Sequence, residues 1–384
     1  MVQKVPLSGI SGNSSFKNYI INGDYAIAQR ASSATTAGNG TYTTLDRWQT
    51  YNATDGAYTT ARTALSAADQ ATTGQYYAYD IQCSTADSSI GASQYAFVLQ
   101  KIEAQFLQAL RFGTSDAQPV TISFYVKSNL TGTTCGFVSK EDSTFTMCPF
   151  EFTINSANTW ERKTATIPVN DVIQLAASAI TYDNGPGISV GFNLAMGSNL
   201  DNGTNLTWEA TTAGYATSNQ LNFLSNTAND LFITGVQFEV GNDATDFEYL
   251  PHDVQLQRCI RYFRLLKMQG IHSGTYQFAN NWSRINPTYA NAANEMRDVP
   301  SASWKTATPT FDASGTALTT DSNEFRWGYN GTTVDTTPSA TLGIDNIGYY
   351  SLSIYNSGIN HNTNGSSGFV SFKKQPTIIL NAEL

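Results

Sequence analysis

The sequence predicts an all-β protein: an antiparallel β-sandwich, then a short helix, then a second, smaller β-rich domain. Three observations carry this expectation. Runs of β-branched and aromatic residues alternate with polar ones at the two-residue period of a half-buried strand. Clusters of Asn, Asp, Gly, Ser and Thr separate those runs, and each of these residues makes turns through its own local chemistry. Helical periodicity is confined to two short stretches, and many short strands joined by turns are the pattern of a sandwich.

Taken in chain order, residues 1–15 mix polar and apolar side chains without a period and read as a flexible arm. The sandwich is expected over residues 16–250. Its clearest strands are Tyr77–Cys83, Tyr95–Leu99, Val120–Val126, Gly187–Leu194 and Leu231–Val240. In the third of these, Val120, Ile122, Phe124 and Val126 face one way, and Thr121, Ser123 and Tyr125 the other. Ile102–Leu110 puts Ile102, Phe106, Ala109 and Leu110 on one helical face and is expected to cap one end of the sandwich. A second helix is expected from Asp253 to Lys267, burying Val254, Leu256, Ile260, Phe263 and Leu266. Arg258, Arg261, Arg264 and Lys267 recur every three residues on its other side, as a solvated stripe or an ion-pair row between subunits. This helix sits in a linker, 251–270, closed by Gly270. The C-terminal β-rich domain, 271–384, carries strand patterns at Asn323–Tyr329, Tyr349–Tyr355, Gly368–Phe372 and Thr377–Leu380.

Composition narrows the function. The 384 residues carry a formal charge of −9, and only 13% are charged, against about 25% in an ordinary soluble protein. Ser, Thr, Asn, Gly and Tyr take the place of the missing charges. With 20 Tyr and 20 Phe the chain is too aromatic for a disordered protein. An acidic chain short of Lys and Arg has little from which to build a nucleic-acid face. No apolar run is long enough for a membrane-spanning helix or a secretory signal, so neither membrane insertion nor nucleic acid is expected. Cys83, Cys135, Cys148 and Cys259 form no CxxC pair, and His252, His272 and His361 form no HExxH, so no metal is expected. Buried free thiols are the expectation for the cysteines, with a Cys135–Cys148 bridge between neighbouring strands as the alternative. GxSxG and phosphate-cradling glycine loops are absent, and no cofactor or catalytic residue is assigned. Glu103, Glu151, Glu161 and Glu209 supply carboxylates of the kind glycoside hydrolysis needs, but nothing in the sequence pairs them. Turns such as Asp183-Asn-Gly-Pro-Gly187 and Asp201-Asn-Gly-Thr204 offer oxygen ligands, yet neither matches a calcium loop.

Three stretches stand out: Asn18-Tyr-Ile-Ile-Asn-Gly-Asp-Tyr-Ala-Ile-Ala-Gln-Arg30 with Asp46-Arg-Trp48, Gly235-Val-Gln-Phe-Glu-Val-Gly-Asn-Asp-Ala-Thr-Asp-Phe-Glu248 with Cys259-Ile-Arg-Tyr-Phe263, and the ending Asn381-Ala-Glu-Leu384. Together they resemble a family of bacteriophage virion proteins known as tail-fibre or minor structural proteins. The resemblance implies a jelly-roll-like sandwich akin to carbohydrate-binding modules, within a virion appendage assembled in the host cytoplasm. It also implies other virion proteins as partners, a homo-oligomer with a trimer preferred, and host-surface polysaccharide as ligand. The expected function is therefore a tail-fibre or appendage component that contacts host glycan and is not an enzyme. A head-decoration or connector protein that stabilises capsid or tail without receptor binding is the alternative.

Within these motifs, Trp48 is expected in the core, Asp46 and Arg47 as a charge pair near a sheet edge, and Phe247 as a pin for the chain leaving the sandwich. All four read as structural. For the glycan, stacking on exposed aromatics points to Trp282, Tyr289, Trp304, Trp327 and Tyr329 in the second domain. Trp327 lies on an alternating strand between Arg326 and Gly328, which leaves one side wet.

Overall fold

Between Thr35 and Val240 the alternating runs pair into two antiparallel sheets. The computed structural model describes residues 16–32, 35–267, 271–275, 282–285, 296–304, 310–311, 324–329, 332–333, 341–345, 353–357, 367–372 and 377–384, giving mainly backbone for the strands between 271 and 372. The chain divides into two compact units, residues 1–255 with Leu384, and residues 256–383.

The first unit is a jelly-roll-like β-sandwich. Its strands are β1 (Thr35–Thr36), β2 (Gln49–Asn52), β3 (Ala57–Ala64), β4 (Tyr77–Thr85), β5 (Tyr95–Glu103), β6 (Val120–Ser128), β7 (Gly132–Lys140), β8 (Thr146–Ile154), β9 (Glu161–Ile167), β10 (Pro186–Met196) and β11 (Asp230–Val240). One sheet has the order β1-β3-β4-β11-β6-β9 and the other β2-β5-β10-β7-β8. The period of two decides what each strand buries. Val120, Ile122, Phe124 and Val126 of β6 all point into the core, as do Ile188, Val190, Phe192 and Leu194 of β10 and Ala96, Val98 and Ile102 of β5. Phe124 packs edge-on against Phe192 and Phe152, with centroids 4.8 and 5.0 Å apart. Such contacts add to the area each ring removes from water.

The first signature motif seals one part of this core. Trp48 is fully buried, 5.3 Å from Tyr25 and 6.1 Å from Tyr79, and its indole N–H donates to the Asn22 carbonyl at 3.2 Å. Asn22 adopts a left-handed φ of 59°, which asparagine tolerates better than most residues. Its side-chain amide donates to the carbonyls of Ile27 and Asp46, and its side-chain oxygen accepts from the Ile27 N–H. Gly23 follows because a Cβ there would stand 2.1 Å from the Val236 carbonyl oxygen. Asp46 and Arg47 lie at the entry to edge strand β2, both without exposure. Asp46 accepts from the Gln29 amide at 2.7 Å, and Arg47 donates to the Lys101 carbonyl at 2.6 Å. At the sandwich exit Phe247 is half-buried and edge-on to Tyr249 at 5.1 Å. The exit chain is held there by the Glu248 carboxylate, which accepts from the backbone N–H groups of Lys17 and Asn18.

Local structure departs from the sequence pattern in two places. Ile102 and Glu103 end β5 rather than start a helix, and only 3-10 turns at Ala104–Phe106 and Gln108–Leu110 follow. The close approach of the next strand explains this, since a Cβ on Gly187 would lie 2.7 Å from the Ala104 Cα. The second helix runs only over His252–Ile260. Phe263–Lys267 is instead a strand paired with Thr377–Asn381, because that pairing satisfies the backbone of two apolar segments at once. All four cysteines are free and buried. Cys135 stands opposite Glu151 and Cys148 opposite Val138, and the two thiols lie in different apolar clusters on opposite faces of their sheet.

The second, smaller unit is also β-rich. Thr377–Asn381 is the centre of a three-stranded sheet with Phe263–Lys267 and Ser301–Trp304, and Ser367–Phe372 pairs with Ile271–Thr275 and Glu324–Tyr329. Cys259, Tyr262, Phe263, Ile378 and Leu380 are buried there, which gives the second signature a packing role. No helix among the described residues is long and apolar enough to cross a membrane.

One surface carboxylate makes stability depend on pH. Burial works to raise the Glu161 pKa, but the Lys163 ammonium at 2.6 Å and the N–H groups of Ser156 and Asn155 outweigh it and hold the carboxyl at about 2. A depressed acid contributes stability above its unfolded pKa of 4.5 and loses it as pH falls through the folded value. The difference in melting temperature between wild type and Glu161→Gln should therefore be constant above about pH 5 and shrink towards zero as the pH approaches 2. A difference independent of pH over that range would show that the carboxylate is not the cause.

Candidate functional site

The outer face of the five-stranded sheet is apolar where a solvated sheet would be polar. The same alternation that buries Ala96 and Val98 turns Tyr95, Phe97 and Leu99 of β5 outward, and Phe137 of β7 joins them. The long connection after β10 folds back over the β7–β8 half of this face. Met147 and Glu209 exchange backbone hydrogen bonds at 2.9 Å, and the Leu206 N–H donates to the Pro149 carbonyl at 2.8 Å. At the β2–β5 half Tyr51 and Tyr95 stay partly exposed, while Tyr215 of the connection lies against Phe97. What remains is a cleft of about 390 Å³, with Leu200, Thr212 and Tyr215 of the connection as one wall.

Phe97 is the centre of an aromatic group. Tyr51, Tyr95 and Tyr215 lie nearly parallel to it, at 4.8, 5.4 and 5.6 Å and 27°, 25° and 16°. Phe137 stands across them, edge-on to Phe97 at 5.3 Å and to Tyr215 at 5.1 Å. Its position depends on Gly191, which pairs with it across β10 and β7 and leaves room for the ring. Tyr51 donates to the Gln49 side-chain oxygen at 3.2 Å, and the Asn193 amide fixes the Tyr215 carbonyl at 2.7 Å. Burial first, and then the Glu141 charge, push the Tyr51 and Tyr215 phenols above their usual pKa. Both hydroxyls therefore stay neutral and able to donate.

The other end of the cleft is polar. Lys101, Ser189 and Ser139 stand in one row across β5, β10 and β7. Glu141 reaches back over that row from the end of β7. Its Oε1 accepts from the Ser189 hydroxyl and from Ser139 at 3.5 Å, and its Oε2 lies 3.7 Å from the Lys101 ammonium. Arg47 supports the row from below through the Lys101 carbonyl. Partly exposed tyrosine rings beside hydroxyl, ammonium and carboxylate groups suit a ligand with one apolar face and many hydroxyls.

The aromatics singled out from the sequence lie elsewhere. Trp282, Trp304, Trp327 and Tyr329 fall on strands of the second unit, opposite Ser357, Ile378, Val370 and Gly368 respectively. Their side chains, and Tyr289 entirely, are outside the described residues. The cleft residues Tyr51, Tyr95, Phe97, Tyr215, Lys101 and Glu141 were not singled out. A signal existed in β5, where Tyr95-Ala-Phe-Val-Leu99 is apolar on both faces and so announces a strand covered on both sides.

Among the described residues no group of three His, Cys, Asp or Glu could hold a metal ion. Asp183 serves its own turn, accepting from the Gly185 N–H at 2.8 Å and the Thr181 hydroxyl at 2.9 Å. Glu151 is likewise engaged, accepting from Thr217 and Asn219.

No family model and no curated protein matches the sequence. Among solved structures, the chain is similar to the family 11 carbohydrate-binding module of cellulosomal cellulase Lic26A-Cel5E of Clostridium thermocellum. The match has 11% identity over 57% of this chain and 99% of that one, with a TM-score of 0.28. It is also similar to TmCBM61, solved in complex with β-1,4-galactotriose, at 11% identity over 59% of this chain and 100% of that one, TM-score 0.27. A third is the CBM22-1 xylan-binding domain from Paenibacillus barcinonensis Xyn10C, at 10% identity over 56% of this chain and 100% of that one, TM-score 0.24.

Proposed function

We propose that this chain is a glycan-binding structural protein of a bacteriophage particle, a tail-fibre or appendage component, without catalytic activity of its own. The aromatic cleft on the outer face of the first sandwich holds the sugar. The observation that carries the reading is the meeting of Tyr51, Phe97 and Tyr215 with the Lys101–Glu141 row in one open cleft. Sugar rings present an apolar face of C–H groups and a rim of hydroxyls, and the cleft offers a partner to each. Its volume falls within the range of small-molecule sites. The virion assignment rests on the Asn18–Arg30, Asp46–Trp48 and Gly235–Glu248 motifs, and the low charged fraction of 13% suits binding to neutral hydroxyl surfaces.

The test is a glycan array with the purified protein, followed by titration of the best ligand against Tyr51→Ala and Tyr215→Ala. Both rings are only partly buried, so the variants should fold. Each should lose about 2 kcal/mol of binding, roughly thirtyfold in affinity. Unchanged affinity in both would remove the cleft from the function. Immunogold labelling of intact particles tests the rest. A few copies at the tail are expected, whereas many copies over the capsid would replace the appendage reading with a decoration role. Sedimentation at micromolar concentration should show a trimer.

A further inference from the structure

We infer that the cleft selects an uncharged sugar, with Glu141 as the acceptor for its hydroxyls and Lys101 as the counter-charge that holds Glu141 in place. This rests on the reading of the cleft as a glycan site. The two charged groups that line it are of opposite sign and 3.7 Å apart, each with about a fifth of its side chain exposed. The lining therefore carries no net charge, and its one cation is already matched. An acidic sugar would have to bring its carboxylate beside Glu141, where the described lining offers no further cation, in a partly desolvated site that magnifies the repulsion.

A neutral sugar meets no such obstacle. Glu141 is fixed by two serine hydroxyls from adjacent strands, Ser139 and Ser189, both on Oε1. Its remaining lone pairs, chiefly on Oε2, are free to accept from neighbouring sugar hydroxyls. The Lys101 ammonium has three N–H groups, and those not turned to Glu141 donate to sugar oxygens. Tyr51 and Tyr215 remain neutral, so the aromatic end adds no charge of either sign. The arrangement is preorganised by the register that puts Lys101, Ser189 and Ser139 side by side, and by Arg47 at the Lys101 carbonyl.

The deciding experiment compares neutral tetrasaccharides of glucose, galactose and mannose with tetragalacturonate and a sialylated tetrasaccharide. Wild type and Glu141→Gln are titrated with each by calorimetry at low and high salt. Wild type should bind at least one neutral ligand and neither acidic one. Its affinity should change less than about twofold between roughly 0.05 and 0.5 M NaCl, since no net charge is neutralised. Glu141→Gln, which keeps the shape, should weaken neutral binding about tenfold, the worth of a charge-assisted hydrogen bond. Preference for an acidic ligand, strong salt dependence, and tighter binding by Glu141→Gln would overturn the inference while leaving a glycan site in place. Failure to bind either class would overturn both. Should Glu141→Gln melt far below wild type, the ligand preference and salt dependence of wild type decide alone.

Discussion

Trp48→Ala should cost the first sandwich about 3–5 kcal/mol, the usual range for emptying a fully buried tryptophan site. For a unit of this size that loss lowers the melting temperature by roughly 6–20 °C. The reasons lie in the contacts around the ring. Tyr25, Tyr79 and Phe192 all touch it, the last at 6.3 Å in a stacked arrangement, and none can move in to fill the void. The Asn22 carbonyl loses its indole donor as well, which adds the cost of an unsatisfied buried acceptor. Trp48→Phe separates the two effects, because it restores most of the volume but not the N–H. It should lose about 1–3 kcal/mol. Calorimetric melts of the three proteins check this, and a Trp48→Ala melt within about 2 °C of wild type would contradict the assignment of the motif to the core.

Gly191→Leu should abolish ligand binding while the sandwich still folds. A Cβ at this position would stand 2.4 Å from both Cε1 and Cζ of Phe137, closer than any real contact. The ring must leave its place across Phe97 and Tyr215, and the new side chain enters the cleft floor. Overpacking of this kind costs about 1–3 kcal/mol, which a domain with about 5–15 kcal/mol of stability survives. Gly191→Ala should give the smaller version of both effects. Binding by Gly191→Leu at wild-type affinity would mean that the ligand sits elsewhere. The two substitutions thus divide the protein cleanly: the first is chiefly a loss of stability, the second a loss of site.

How much of this was legible in the sequence depended on how far each strand resembles an ideal one. The strands β4, β5, β6, β10 and β11 were plain because their β-branched and aromatic content is strong. The remaining strands hide for separate physical reasons. Gly136 weakens β7 on paper, yet it is required because the Phe150 ring lies over it, with Cζ 2.2 Å from where a Cβ would be. Pro149 interrupts β8 and argues against a central strand, and β8 is indeed at the sheet edge. Glu161-Arg-Lys-Thr-Ala-Thr-Ile167 is polar because β9 is the edge of the other sheet. The false helix at Ile102–Leu110 shows the reverse error, in which apolar spacing of four matched a helix while tertiary pairing kept its first residues in β5.

The site was less legible than the fold. Tyr51, Phe97 and Tyr215 come from three distant parts of the chain, and only the register of β2 with β5 and the return of the long connection bring them together. Tryptophans draw attention in a sequence because they are few. Here the two described in the first signature and the connection, Trp48 and Trp208, are both buried and structural, and the cleft is built from tyrosine and phenylalanine. The apolar character of both faces of β5 was the one local sign, and by itself it says only that something covers the outer face.

β5 has a consequence for how such a protein can change. Its even-numbered residues, Ala96, Val98, Gln100 and Ile102, hold the frame, and its odd-numbered residues, Tyr95, Phe97, Leu99 and Lys101, line the cleft. Folding and recognition are therefore written in alternate letters of one nine-residue word. A lineage can rewrite the odd letters without erasing the even ones, so a new ligand preference is reachable through a handful of substitutions in a scaffold that stays foldable at each step. A library randomised at those odd positions alone, with the even ones held, is the natural place to look for altered preference.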